Sequence, residues 1–193
     1  MAQGVLGYKG PKKEAPPRNA VVDGTVAIFA TGCYIGYTPV IPGTAGAALG
    51  VFLYYTILLK MHLNPLILFF VYLSIYIFGG FILTLAHESF TEADHNLIVM
   101  DKALGAAIAV SSLSPEIWAN CPQRAAVAFL IFRLWEIAKV FPLGPLSKLH
   151  KGWGMMSDDV CAGIIAMLLV HFAIPDWVWQ YFGWVVPVIK AKG

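Results

Sequence analysis

The sequence predicts an all-α fold, a polytopic membrane helical bundle whose N-terminal element is broken or re-entrant. Of its 193 residues, 59% are hydrophobic and only 12% are charged, and the mean hydropathy is +0.71. Soluble domains are about one-quarter charged, so this composition indicates a membrane protein. Several apolar runs approach the roughly 20 residues that a helix needs to cross a bilayer. Proline and glycine separate these runs.

Three regions are expected along the chain. Residues 1–22 form a basic N-terminal tail, residues 23–175 the helical membrane domain, and residues 176–193 an aromatic segment at the membrane interface. Basic tails beside membrane helices usually stay cytoplasmic. A solvated tail and a tail that contacts other membrane subunits are both compatible with its composition. The net charge of +2 is too small to indicate nucleic acid as a partner.

The first apolar stretch, residues 26–50, is interrupted by glycine and proline, so a continuous helix is not expected there. Non-helical backbone at membrane depth must be buried in protein or line a cavity, which favours a broken or re-entrant element. Pro42-Gly43-Thr44 are expected just before a helix, where free N–H groups and a hydroxyl suit an anion. An N-cap by Thr44 explains the same residues without a ligand.

The later helices follow from apolar runs with clear breaks between them. Asn64-Pro65 separates the first two runs, which are therefore expected to form a hairpin. The expected helical segments are residues 45–61, 65–85, 103–110, the run that carries Arg133, and 160–174. Crossings counted from a cytoplasmic tail place several polar groups on one side of the membrane, namely Thr44, Asp94, Asp101, Asp158 and Asp159.

Charged residues in so apolar a chain are costly to bury and usually face a bundle interior or a polar cavity. Arg133, Glu136 and Lys139 are spaced by three, which makes Arg133 and Glu136 neighbours on one side of a helix. Asp158 and Asp159 stand at the expected start of the last long helix. Carboxylates suit Mg²⁺ and basic side chains suit phosphate. A phosphate and metal site is one interpretation; a structural Arg133–Glu136 pair and acids that complement a helix dipole are the others.

Four segments also carry motifs that occur together in a fixed order. They are ATGCYIGYTPVIPGTAGA (30–47), ADHNLIVMDKALG (93–105), FRLWEIAK (132–139) and GWGMMSDDVCAGI (152–164). In combination they resemble the phosphatidylglycerophosphatase A family, magnesium-dependent membrane phosphatases of phospholipid synthesis. The resemblance spans roughly residues 26–175 and leaves the tail and the last segment outside.

The resemblance implies a phosphoric monoester hydrolase that converts phosphatidylglycerophosphate to phosphatidylglycerol. The bilayer and the phospholipid substrate are then its partners, at the cytoplasmic side of a bacterial inner membrane. Acidic catalytic roles are implied for Asp94, Asp101 and Asp159. Ligands for Mg²⁺ are implied at Asp101, Asp158 and Asp159. Contacts to the substrate phosphate are implied at Thr44, Arg133 and Lys139.

Four positions depart from the family pattern. Lys102 replaces a glutamate, Glu136 mildly replaces an aspartate, Val140 replaces a proline, and Ser147 stands near the place of an aspartate. The loss of two carboxylates is expected to weaken a magnesium site. The alternative function is therefore a catalytically lapsed member that serves as a structural subunit of a larger membrane complex. A transporter or channel is disfavoured, because the chain has no repeated half and no charged pore pattern.

Overall fold

The computed structural model describes residues 20–38, 41–89, 97–138 and 152–174. Within these ranges all regular structure is helical, which confirms the all-α class. The helices are α1 (Ala20–Ala30), α2 (Pro42–Leu53), α3 (Pro65–Ser89), α4 (Met100–Val110), α5 (Pro115–Asn120), α6 (Gln123–Ala138) and α7 (Gly152–Leu168). π-Helical turns extend α2 and α7 at Tyr54–Leu58 and Leu169–Ala173. The expectations for Asp94, Lys139, Val140, Ser147, most of the tail and residues 176–193 lie outside the described residues.

The predicted break in the N-terminal apolar stretch is present between α1 and α2. The backbone turns at Gly32, Cys33 and Tyr34, which have φ values of 57°, 55° and 67°. A short 3-10 turn, Ile35–Tyr37, follows. The buried Thr31 stabilises the turn, since its hydroxyl donates to Ala27 O at 2.7 Å and accepts from Tyr34 N at 3.1 Å. The broken helix is thus confirmed, and its re-entrant course in a membrane stays a prediction.

The start of α2 differs from the expectation for Pro42-Gly43-Thr44. These residues form the first turn of the helix instead of preceding it. Ile41 is the N-cap, with φ 57° and no capping hydrogen bond from its side chain. Pro42 follows at the first helical position, where its missing N–H is not needed. The N-cap interpretation of Thr44 is therefore wrong, and its hydroxyl is available for contacts with other helices.

Two helical segments are long and apolar enough to cross a membrane, Pro65–Ala86 and Gly152–Ala173. The first has a mean hydropathy of 2.5, and only 22% of it is buried inside the protein. Its outer surface carries large exposed apolar side chains, including Phe69, Phe70 and Phe81. Such a surface suits contact with hydrocarbon better than contact with water. These features support membrane association, whereas the polytopic bundle stays a prediction.

The middle of the structure is formed by α4, which packs against both α2 and α7. Main chains meet directly at two of these contacts. A Cβ atom on Gly50 of α2 would lie 1.9 Å from the carbonyl oxygen of Ala103, and one on Gly163 of α7 would lie 2.3 Å from that of Gly105. Small residues at helix contacts allow this close approach. The packing sets the relative positions of the acids that α4 and α7 carry.

Candidate functional site

Three acidic side chains from three helices converge on the ammonium group of Lys102. Its Nζ lies 3.1 Å from Oδ2 of Asp101, 3.5 Å from Oδ2 of Asp159 and 3.9 Å from Oε1 of Glu136. Asp101 and Asp159 are buried, with 1% and 4% of their surfaces exposed. We call the carboxylates of Asp101, Glu136 and Asp159 the carboxylate cluster. The cluster and Lys102 form a buried ionic site where α4, α6 and α7 meet.

Asp101 is anchored by both of its carboxylate oxygens. Oδ1 accepts a hydrogen bond from the backbone N–H of Lys102 at 2.8 Å, and Oδ2 accepts one from Lys102 Nζ at 3.1 Å. Asp101 also lies in the first turn of α4, where the helix dipole favours a negative charge. These interactions hold the Asp101 carboxylate in one orientation beside the ammonium group.

Arg133 connects the carboxylate cluster to the start of α2. Its Nη1 donates to Oε2 of Glu136, and its Nη2 donates to Oγ1 of Thr44 at 3.2 Å. Glu136 therefore binds Arg133 through one oxygen and approaches Lys102 with the other. The predicted proximity of Arg133 and Glu136 is confirmed. Thr44, which sequence reasoning assigned to phosphate, is brought to the same site by this arginine.

Gly43 allows the first turn of α2 to approach both cations closely. A Cβ atom at this position would lie 3.2 Å from Cδ of Lys102 and 3.3 Å from Nη2 of Arg133. Two cationic groups and the N-terminal turn of a helix therefore face one small region. Cations and helix N-termini both favour anions, so this region suits a phosphate group.

Lys102 stays charged in this setting. Burial alone would lower the pKa of its ammonium group, but the carboxylates of Asp101, Asp159 and Glu136 raise it by more. The net result is a pKa above the ordinary lysine value. Lys102 and Arg133 together leave the carboxylate cluster with one negative charge in excess when all three acids are ionised.

Asp158 and Asp159 lie about two turns into α7, because the helix already begins at Gly152. The expectation that they stand at the helix start was wrong. Gly152 and Gly154 are helical, and Gly152 packs so closely on α3 that a Cβ atom would lie 2.3 Å from Thr84 N. Gly152 is therefore used for helix packing and does not break the helix. Asp158 is buried beside Asp159, with 6% of its surface exposed.

The structure thus brings Thr44, Asp101, Arg133 and Asp159 together, and it adds two residues that sequence reasoning did not assign to the site. Glu136 was considered only as a partner of Arg133, and Lys102 only as a lost ligand. The signal for Lys102 was its position next to Asp101 in an apolar run, where a buried cation needs acidic partners. Its long stem lets the ammonium group reach acids on neighbouring helices.

The described residues do not fit a divalent metal at the centre of this cluster. Between residues 20 and 174, in the ranges that the structure describes, no group of three acidic, histidine or cysteine side chains is arranged to hold a metal ion. The point that Asp101, Asp159 and Glu136 share is next to the Lys102 ammonium group. The described residues thus give no support to the Mg²⁺ that the resemblance implies, and this ion stays a prediction for the chain.

Comparison with known proteins gives a consistent result. The family profile "Phosphatidylglycerophosphatase A" matches residues 28–174. The protein named "Phosphatidylglycerophosphatase A" in Escherichia coli (strain K12) is 30% identical over 152 residues, which cover 78% of this chain and 84% of the relative. The protein of that name in Haemophilus influenzae is 32% identical over 153 residues, covering 79% and 90%. No solved structure matches the chain significantly. The extent of these matches shows that this chain belongs to the phosphatidylglycerophosphatase A family.

Proposed function

We propose that this protein is a membrane-embedded phosphatase that hydrolyses the phosphate monoester of a phospholipid, with phosphatidylglycerophosphate as its substrate. The observation that carries this proposal is the buried ionic site joined to the first turn of α2 through Arg133 and Thr44. Family membership supports the reaction class. In this proposal the site faces the cytoplasm from a bacterial inner membrane.

The substrate phosphate would bind between the first turn of α2 and the two cations. Arg133 now directs Nη1 to Glu136 and Nη2 to Thr44. A phosphate oxygen beside Thr44 could accept a hydrogen bond from Arg133 and one from the threonine hydroxyl. Guanidinium groups bind phosphate through two parallel hydrogen bonds, which fixes the orientation of the anion. Lys102 would add a second positive charge, and Lys139 is a further phosphate-binding candidate by resemblance.

Hydrolysis requires water to attack phosphorus while the ester bond to the lipid alcohol breaks. The water oxygen stays on phosphorus, one of its protons is taken by a base, and the departing alkoxide gains a proton. Asp159 is the candidate base that takes the proton from the attacking water. Its Oδ2 is buried and has no hydrogen-bond donor among the described residues, although Lys102 Nζ lies 3.5 Å away. Asp101 orients the ammonium group of Lys102 by accepting its hydrogen bond. The catalytic role of Asp94 rests on the resemblance alone.

A lipid substrate is supported by an apolar cavity lined by α3, α7, the π turn and segment that follow α2, and the end of α4 with the residues after it. Its volume is about 960 Å³, and its lining includes Tyr72, Ile108, Val160 and Ile164. Val160 directly follows Asp159, and Ile108 lies about 10 Å beyond Asp101 along α4 at 1.5 Å per residue. The residues of the ionic site do not line the cavity, but α4 and α7 carry residues of both. An acyl chain could occupy it while the head group reaches the cations.

A structural subunit is the second candidate, and the position of Lys102 favours it. An ammonium group that forms ion pairs with three carboxylates stabilises the contact of α4, α6 and α7 without any substrate. A catalytically lapsed member of the family would keep this helix packing while it binds other membrane subunits. The N-terminal tail is the segment that sequence reasoning assigned to such a contact.

Phosphate release from phosphatidylglycerophosphate by the purified full chain in detergent distinguishes the two candidates. The assay is run with Mg²⁺ and with EDTA, on the wild type and on Arg133→Ala and Asp159→Asn. Release that both substitutions abolish supports the phosphatase. Lys60→Ala, a change of an exposed cation on the segment after α2, is the matched control and should keep wild-type activity. If folded wild type releases no phosphate from this lipid or from phosphatidic acid, the structural subunit is the better function.

A further inference from the structure

We infer that the Lys102 ammonium group is a built-in cation in the position of a divalent metal, so that the carboxylate cluster of Asp101, Glu136 and Asp159 binds no metal ion. This inference concerns the cluster itself. It goes beyond the proposed phosphatase function and stands whether or not the chain is active.

The ammonium group lies within ion-pair distance of all three acids of the cluster, and it donates a hydrogen bond to Oδ2 of Asp101. An ammonium group has three N–H donors and no acceptor. Three carboxylate oxygens from three helices lie 3.1, 3.5 and 3.9 Å from Nζ. A magnesium ion needs oxygen ligands at about 2.0–2.1 Å, and a calcium ion at about 2.3–2.6 Å. An ion bound to any two of these oxygens would therefore lie next to the positive charge of Lys102.

The ammonium group is also held in place. Asp101 accepts hydrogen bonds from both the backbone N–H and the Nζ of Lys102. The stem of the lysine lies beside the first turn of α2, where a Cβ atom on Gly43 would be 3.2 Å from Cδ and 3.3 Å from Cε. Only 21% of the lysine side chain is exposed. A metal ion could not enter the cluster without expelling this side chain from its contacts.

Removal of the charge at position 102 should create a metal site. The three carboxylates would then have only the Arg133 guanidinium near Glu136 as a described counter-ion. Buried carboxylates without a counter-charge are strongly unfavourable, and a divalent cation would relieve this cost. Lys102→Met leaves the space with no charge, and Lys102→Glu adds a fourth carboxylate.

Binding of Mn²⁺ to the purified full chain in detergent, followed by electron paramagnetic resonance after EDTA treatment, tests the inference. The wild type should bind no Mn²⁺ that depends on Asp159, as judged against Asp159→Asn. Lys102→Met and Lys102→Glu should each bind one Mn²⁺ ion, with an affinity about 10- to 100-fold above that of the wild type. Adding Asp159→Asn should abolish that gain. Lys60→Glu changes charge by the same amount at an exposed position and should gain nothing.

Three results would overturn the inference. The first is a wild-type Mn²⁺ site that Asp159→Asn abolishes, and the second is a folded Lys102→Met or Lys102→Glu variant without any gain. Lys102→Arg keeps the positive charge, so a gain of Mn²⁺ binding in this variant would also contradict it. Should the charge-removing variants fail to fold, the comparison of the wild type with Asp159→Asn decides alone. Because phosphate release is not measured, failure of the phosphatase proposal leaves this result unaffected.

Discussion

The Nη2 atom of Arg133 lies 3.2 Å from Oγ1 of Thr44 and so joins the middle of α6 to the first turn of α2. The same guanidinium group binds Glu136, which in turn approaches Lys102 at 3.9 Å. One arginine therefore links the residues proposed to bind phosphate with the acids proposed to act on it.

Arg133→Lys should reduce kcat/KM for phosphatidylglycerophosphate by about 10- to 100-fold. A lysine ammonium group cannot make the two parallel contacts of a guanidinium group, so orientation of the phosphate is lost although the charge is kept. The rate of phosphate release over a range of substrate concentrations measures the effect. Wild-type kinetics in this variant would mean that Arg133 has only a structural role.

Thr44→Val should lower kcat/KM by roughly tenfold or more, since a hydrogen bond to a charged group contributes about 1.5–3 kcal/mol. The matched control is Thr56→Val, because Thr56 donates its hydroxyl only to Phe52 O within its own helical segment, at 2.7 Å. The control should retain activity. In the double variant with Arg133→Lys, the two losses should not add, because both changes remove the same contact. Additive losses would show that Thr44 acts independently of Arg133.

Gly43→Ala should reduce the rate of phosphate release by about 5-fold without unfolding the protein. The new methyl group would press on Cδ of Lys102 and Nη2 of Arg133, and both side chains can shift by a few tenths of an ångström. Gly24→Ala is the control, because a Cβ atom there meets nothing within 4 Å. It should keep full activity and stabilise α1 by about 0.5–1 kcal/mol. Equal activity of the two variants would contradict the proposed closeness of α2 to the cations.

Gly163→Ala should destabilise the fold by about 1–3 kcal/mol, since its methyl group would lie 2.3 Å from the carbonyl oxygen of Gly105. Backbone cannot move aside as a flexible side chain can. Thermal unfolding in detergent, followed by circular dichroism, provides the measurement. Gly24→Ala should change the unfolding temperature in the opposite direction, and a decrease of similar size in both variants would contradict the packing.

The stability that Lys102 contributes should depend on pH in the alkaline range. Its folded pKa lies above the ordinary value of 10.5, so the contribution is complete below that pH and is lost as the pH rises through the folded value. The unfolding temperatures of the wild type and Lys102→Met should therefore differ most near neutral pH and converge above about pH 10.5. A difference that stays constant up to pH 11.5 would mean that folding does not raise the pKa of Lys102.

Composition was sufficient to predict the all-helical class, because apolar runs without enough charge for a soluble surface leave few alternatives. The pair Arg133 and Glu136 was also predictable, since spacing by three within one helix is a local property. The start of α7 was not. A glycine that breaks a helix and a glycine that lets two helices touch look alike in a sequence, and Gly152 belongs to the second kind.

The role of Lys102 could not be predicted for a related reason. A local pattern shows that a cation stands next to Asp101, and comparison with a family motif shows that a carboxylate is missing. Whether the ammonium group points to solvent or into the cluster depends on where α6 and α7 place Glu136 and Asp159. That placement results from contacts between helices more than 30 residues apart along the chain.

The direct contact of main chains at Gly50, Gly105 and Gly163 has a mechanical consequence. Side chains between helices can adopt other rotamers and absorb a displacement, but peptide groups in contact cannot. Helices α2, α4 and α7 should therefore move as one rigid frame that keeps Thr44, Asp101 and Asp159 in fixed register. Helix α6 meets α4 through a side chain, the ring of Phe132 against Gly105. Any opening that admits a lipid head group is thus expected to come from a movement of α6, which would displace Arg133 relative to α2, α4 and α7.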